Sequence, residues 1–247
     1  ALESQSFVSV PTYGNRERCI DMKNIKIEIC IDQAEHAHLL KPSNCHRIEL
    51  CSKLEEDGLT PDLNSMGLLQ DMGFEVTAMA RPRSGDFNYS PTDIDRLKSD
   101  IADCVSAGAD GLVLGILDSN NRVPRETLRE LVICSKGLPV TFHRAFDHSA
   151  NMISDLETII ETGCQRILTS GGSSFADQGR QKLSELVQLA GDRIEIIAGG
   201  GVRPGHAASL VTETGVSWIH LSARKNEDRP DIDLLEDLER ELYGSDR

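Results

Sequence analysis

Short runs rich in Ile and Val recur along the chain, and longer stretches with apolar residues at helical spacing lie between them. The runs Ile25–Ile31, Arg47–Cys51, Glu75–Arg81, Gly111–Leu117, Pro139–His143, Arg166–Ser170, Ile194–Gly199 and Ser217–Ser222 read as strands. Pro91–Ala107 carries Ile94, Leu97, Ile101 and Val105 at helical spacing, opens at a Ser-Pro start and stops before Gly108, which predicts a helix. Asn151–Thr162, Gln181–Ala190 and Arg203–Glu213 behave likewise, followed by Gly163, Gly191 and Gly215. Eight strand–helix repeats with no Pro/Gly/Ser-rich linker predict one (β/α)8 TIM barrel over 25–247, with a doubly wound open sheet as the alternative. Residues 1–24 are patternless and read as a flexible or loosely docked N-terminal arm.

In such a barrel, side chains alternate between the lumen and the helix layer, and chemistry gathers at the carboxyl ends of the strands. Parity puts Ile27, Ile29 and Ile31 on one face of the first strand and Glu28 and Cys30 on the other. The second strand repeats this, with Ile48 and Leu50 against Glu49 and Cys51. Two neighbouring strands therefore present Glu-x-Cys to the lumen. Arg81, His143, Thr169, His220 and Ser222 join them from later strands. A Glu is rarely buried without a partner. Either these groups form a pocket in which Glu28, Glu49, Arg81, His143 and His220 exchange protons with a substrate, or they form an ion-pair network on the barrel floor.

Cys30 and Cys51 sit at matching places on adjacent strands. They read as plain packing, as a soft thiolate pair for Cu(I), or as a redox disulfide. Zn(II) would need four ligands. His36 and His38 do not share a helical face and read as solvated helix residues, and Cys45 and His46 point different ways. Glycine-rich turns follow the sixth and seventh strands, and Ser222-Ala223-Arg224-Lys225 follows the eighth. Backbone N–H groups in such turns approach anions closely, so Ser170, Gly171, Gly199, Gly200, Gly201, Ser222 and Arg224 form a candidate anion or phosphate site. The alternative is tight turns that simply need glycine.

The 247 residues carry 26 Lys+Arg against 40 Asp+Glu, a net charge of -14. That balance argues against nucleic acid or an anionic membrane surface as the main partner. No apolar run approaches the roughly 20 residues of a membrane span, and Ala1–Asn24 lacks the apolar core of a signal peptide. Seven scattered cysteines without a CxxC suit reduced thiols in a cytoplasmic protein. There is no P-loop, HExxH or GxSxG, and the lumen faces carry no Lys unless the first strand slides to include Lys26, which disfavours a Schiff-base aldolase. The acidic runs Glu55-Glu56-Asp57 and Glu236 to Glu241 read as solvated surface.

Taken together, Glu28-Ile29-Cys30-Ile31-Asp32, Arg47-Ile48-Glu49-Leu50-Cys51-Ser52 and Arg81-Pro82-Arg83-Ser84-Gly85-Asp86-Phe87 resemble the CutC copper-homeostasis family. So do Gly108-Ala109-Asp110-Gly111, Val140 to Asp147, Leu168-Thr169-Ser170-Gly171 and Gly199-Gly200-Gly201, and the resemblance spans about 25–225. It implies a cytosolic TIM barrel that assembles into homo-oligomers and binds Cu(I), with Cys30 and Cys51 matching the copper cysteines. It implies no settled enzymatic activity. The chain departs from the family pattern at Ser43-Asn44-Cys45-His46, where Gly-Gly-Ala-Asp is usual, and at Glu56-Asp57-Gly58, where Glu-Gly-Gly is usual. The reading of another class is an enzyme using the lumen Glu and His residues on a small phosphorylated or carboxylated metabolite.

Overall fold

A computed structural model describes residues 7–10, 18–41, 44–225 and 228–244. Strands β1 (Phe7–Val10) and β2 (Arg18–Asp21) pair as an antiparallel ribbon outside the barrel. Phe7–Val10 and Arg18–Asp21 lie in a segment without a recurring Ile/Val-rich pattern, which is why this ribbon is invisible in the sequence pattern. Residues 1–6 and 11–17 of the expected arm, and Ser43 of the divergent run, lie outside the described residues.

The barrel strands are β3 (Lys26–Ile31), β4 (Arg47–Leu50), β5 (Glu75–Met79), β6 (Gly111–Leu114), β7 (Val140–Phe142), β8 (Arg166–Thr169), β9 (Glu195–Gly199) and β10 (Trp218–Leu221). All pair in parallel and close in the order β10-β3-β4-β5-β6-β7-β8-β9. The helices are α1 (Met66–Asp71), α2 (Pro91–Ser106), α3 (Arg125–Cys134), α4 (Met152–Thr162), α5 (Arg180–Ala190), α6 (Ala207–Thr214) and α7 (Ile232–Tyr243). A (β/α)8 barrel is thus the architecture. Its first connection lacks an α-helix: the segment with His36 and His38 is a 3-10 turn, Ala34–Leu39.

Parity explains the layers. Ile27, Ile29 and Ile31 are at most 1 % exposed and pack with Ile48, Leu50 and the helices in the main apolar core. Each fully buried Ile or Leu contributes roughly 1.5–3 kcal/mol. Pro91 opens α2 behind a Ser90–Asp93 capping box, and the helix buries Leu97, Ile101 and Cys104. α6 starts at Ala207 rather than Arg203, because Glu241 of α7 accepts from the N–H groups of Gly205 (2.5 Å) and Ala208 (2.8 Å) and fixes that helix end. The acidic run around Glu241 is therefore not merely solvated surface: it sits on α7, whose other face buries Leu234, Leu235, Leu238 and Leu242.

Candidate functional site

The lumen is organised by the stagger between β3 and β4. Glu28 lies beside Arg47 and Cys30 beside Glu49, while the Cys51 N–H reaches the Ile31 carbonyl at 3.0 Å. The two Glu-x-Cys segments are thus shifted by two residues, and their cysteines do not occupy matching positions. With strand spacing and rise combined, the two Cα atoms stand roughly 8 Å apart on the diagonal, too far for a disulfide. Both cysteines are free thiols.

The lower layer is a network of charges. Arg47 is fully buried, donates through Nε to Glu28 and stacks over Trp218 with 4.0 Å to the ring centroid. Glu75 lies 3.6 Å from Arg47 and 3.8 Å from Arg166, which in turn reaches Glu195 at 3.4 Å. β10 sets His220 in register with Glu28, and His220 Nδ1 lies 2.7 Å from Glu28 Oε1. Burial pushes the Glu28 carboxyl up, but the Arg47 charge and the His220 hydrogen bond outweigh it and hold its pKa at about 2. Sequence reasoning missed Arg47, although parity places it on the same face as Glu49.

Above this layer the strand ends open into a cavity of about 310 Å³. Cys30, Glu49, Arg81, His143, Ser222 and His220 all line it, joined by Arg144 and Arg203, which the sequence reading did not single out. Glu49 is 3 % exposed and its Oε2 has no hydrogen-bond partner. Burial pushes its pKa up to about 7, the Glu28 charge adding to this against the pull of His220. His220 itself is drawn the other way: burial favours the neutral ring, yet Cys30 and Glu49, with hydrogen bonds to Cys30 and Glu28, raise its pKa well above the usual imidazole value. His143 Nδ1 accepts from the Ala145 N–H at 3.1 Å, and its Nε2 is buried without a partner. Burial and the neighbouring Arg81 charge lower its pKa to about 3, so His143 stays neutral.

Arg81 is less available than its inward position suggested. Its guanidinium donates to the carbonyls of Glu56 (2.9 Å), Gly58 (3.1 Å) and Gly85 (3.0 Å). It is a wall brace that also stacks on Phe87. The candidate anion loops divide similarly. Around Ser170 and Gly171, the donors already serve Asp147. Its carboxylate accepts from Thr169 Oγ1 (2.5 Å), the Ser170 N–H (2.9 Å) and the Gly172 N–H (3.0 Å). An intramolecular carboxylate fills that cradle. Gly199 sits in close packing, where a Cβ would displace the end of the Leu168 side chain at 2.6 Å and crowd His220 Cβ at 3.3 Å. Gly200, Gly201 and Ser222 do line the cavity, whereas Arg224 is paired with Asp32.

Cys51 is sealed at 1 % exposure beside Met79, Val113 and Leu54, and its Sγ donates to the Ile31 carbonyl at 3.5 Å. Burial, then the neighbouring Cys30 and Glu49 charges, push its pKa strongly up. Among the described residues the group of three or more oxygen, nitrogen or sulfur ligands close enough to share a metal is Glu28, Glu49 and His220, with no cysteine in it.

A family model described as the CutC family matches residues 25–225. The family protein CutC of Photobacterium profundum is 39 % identical over 201 residues, covering 81 % of this chain and 82 % of that one. Its counterpart in Histophilus somni is 41 % identical over 199 residues, covering 80 % of this chain and 82 % of its own. Among solved structures, the CutC of Streptococcus agalactiae, provisionally named for copper homeostasis, superposes with a TM-score of 0.77 at 32 % identity, covering 80 % of this chain and 98 % of that one. Deoxyribose phosphate aldolase from Aeropyrum pernix shares the barrel fold with a TM-score of 0.64 at 16 % identity, covering 89 % of this chain and 91 % of that one.

Proposed function

The chain belongs to the CutC family, and from that membership we propose that it takes Cu(I) as cargo on the thiols of Cys30 and Cys51. The observation that carries this reading is a run of soft sulfur in one wall. Cys30 and Met79 line the cavity, and Met79 packs against Cys51. Thiolate and thioether donors suit Cu(I) far better than a hard divalent ion. The Cys51 proton is held tightly by burial, so copper uptake must release it, and affinity rises with pH. The reading includes a cytoplasmic homo-oligomer: Cys30, Cys45, Cys51, Cys104, Cys134 and Cys164 are free thiols, and apolar Leu68, Ile133 and Phe175 lie exposed. No described helix is long and apolar enough to cross a membrane. The test is an anaerobic Cu(I) titration against a competing chelator. One ion per chain, lost when Cys30 and Cys51 both become Ser in a folded protein, is the expected result. Binding that survives the double substitution overturns it.

A second reading is favoured by two buried atoms that copper does not use. Glu49 Oε2 and His143 Nε2 face the cavity without partners. Here the protein is an enzyme exchanging protons between Glu49 or His220 and a small phosphorylated or carboxylated metabolite. Arg203, whose guanidinium donates to the Val202 and Arg224 carbonyls, draws the anion, while Arg81 braces the wall and Arg144 is already paired with Asp147 at 2.8 Å. Calorimetric screening of such metabolites tests it: binding weakened by Arg203→Ala and turnover abolished by Glu49→Gln are expected. Absence of any anion binding removes this reading.

A further inference from the structure

We infer that the cavity takes a small anion that carries both a carbonyl and a hydroxyl, held at three points: the anionic group on Arg203 and Ser222, the carbonyl oxygen on His143, and the hydroxyl on Glu49. This rests on the enzyme reading above and names the substrate class of that site. Its basis is a pair of orphaned atoms. His143 is 4 % and Glu49 3 % exposed, both line the cavity, and neither His143 Nε2 nor Glu49 Oε2 has a hydrogen-bond partner. Buried polar atoms are normally paired, so each of these marks a place for a ligand atom of matching chemistry.

The two orphans call for different groups. His143 Nδ1 accepts the Ala145 N–H at 3.1 Å, so Nε2 carries the ring proton and can only donate. The ring is hemmed in: Phe87 lies 5.0 Å from it between centroids, and a Cβ on Gly115 would stand 2.5 Å away. Burial and the Arg81 charge keep it neutral, and a neutral donor suits a carbonyl oxygen. Glu49 Oε2 accepts when ionised and donates when protonated, and a hydroxyl satisfies it in either state. An ammonium group fits less well, because the charges of His220 and Arg47 already act on Glu49.

The anionic end belongs to a third sector of the rim. The Val202 (2.7 Å) and Arg224 (3.1 Å) carbonyls fix the Arg203 guanidinium without cancelling its charge, whereas Arg144 and Arg224 are paired with Asp147 and Asp32. Ser222, just after β10, adds a hydroxyl to the same wall. Glu49 lies on β4, His143 follows β7 and Arg203 follows β9, and round the closed barrel these strands are three, two and three steps apart. The three points therefore surround a ligand rather than lie along one side. Between them Met79, Phe87, Leu168 and Leu221 offer apolar wall for a short carbon skeleton. The cavity of about 310 Å³ stands at the small end of ligand sites, which run from roughly 300 to 1,000 Å³.

Calorimetric titration with two short series of anions tests this. Propionate, pyruvate and hydroxypyruvate add first the carbonyl and then the hydroxyl to a carboxylate. Propyl phosphate, acetol phosphate and dihydroxyacetone phosphate do the same for a phosphate. In at least one series each added group is expected to tighten Kd about tenfold, and the series that binds more tightly names the anion. His143→Phe should erase the gain from the carbonyl and keep the gain from the hydroxyl. Glu49→Leu should do the reverse, and Arg203→Ala should weaken all members of a series alike. A general loosening of the lumen would not produce that crossed pattern. Anions that bind equally well with and without the carbonyl and hydroxyl overturn the inference and leave the enzyme reading standing, and so does a His143→Phe protein that keeps the carbonyl preference. Absence of binding by all six removes both.

Discussion

Glu28 and Glu49 are the same side chain on adjacent strands of one lumen, both almost wholly buried, yet their environments drive them to opposite states. Glu28 is bonded to Arg47 and His220 and is ionised down to about pH 2. Glu49, one layer nearer the mouth, has no partner for Oε2 and a pKa of about 7. Burial raises both, and the difference is that Arg47 and His220 are hydrogen-bonded to Glu28, whereas they act on Glu49 by charge alone and do not overcome its burial. The difference separates structure from function within a single barrel: charges whose partners are built in hold the floor, and polar atoms left without partners mark the surface where a ligand belongs.

The strongest way to break this contrast is to remove the cation. Arg47→Leu leaves Glu28 buried without its main counter-charge, and the expected loss is about 3–5 kcal/mol of stability at pH 7. Denaturant unfolding measures it. Because the native pKa of Glu28 lies below its ordinary value of 4.5, its contribution is present above about pH 4.5 and is lost as pH falls through 2. Wild type and variant should therefore converge in acid. A loss that persists unchanged at low pH shows that packing, not the ion pair, sets the cost.

A smaller effect comes from disturbing the mouth without touching the floor. A Cβ on Gly115 would stand 2.5 Å from the His143 ring, closer than real Cβ contacts. Gly115→Ala is expected to cost about 1–3 kcal/mol and to push His143 off its donor position. Thermal denaturation reads the first effect, and loss of ligand or reagent selectivity in the cavity reads the second.

Glu49→Gln should reverse the usual sign. The native pKa of Glu49 is raised from 4.5 to about 7, so the wild-type protein loses stability as pH rises through that window. Replacing the carboxyl by an uncharged amide should be neutral at pH 4.5 and stabilising by about 1–2 kcal/mol at pH 8, less than the full titration effect because the amide is also left without a partner. A destabilised variant at pH 8 means that the charges of His220 and Arg47 outweigh the burial of Glu49, and the contrast with Glu28 disappears.

The strands were legible in the sequence because each buries one face against helices: Ile27, Ile29 and Ile31 announce β3, and the Ser90-Pro91 start announces α2. Parity likewise exposed Glu28, Cys30, Glu49 and His220 as lumen residues. What parity does not contain is register. The two-residue stagger of β4 against β3 pairs Glu28 with Arg47 and separates Cys30 from Cys51, and it arises from closure of the whole barrel rather than from either strand. Nor could local pattern show that Asp147, 23 residues before Ser170, would fill the glycine-rich turn after β8. Parity located the thiols and the family resemblance implied their copper role, but only the closed barrel shows what lies beside each.

The smallest expected effect carries the same ion-pair chemistry to the surface. Arg193 Nη1 and Nη2 reach the two oxygens of Glu157 at 2.7 and 2.8 Å, a bidentate geometry at least as complete as that of Arg47 with Glu28. Both side chains are about half exposed, so water solvates the charges nearly as well when they are apart. Arg193→Ala should leave the denaturation midpoint within error of wild type across the pH range, and adding salt should change neither protein differently from the other. If this variant instead loses as much as Arg47→Leu, then geometry rather than desolvation governs charge pairs in this protein. The case for reading unpartnered buried atoms as a ligand site would then have to rest on the cavity alone.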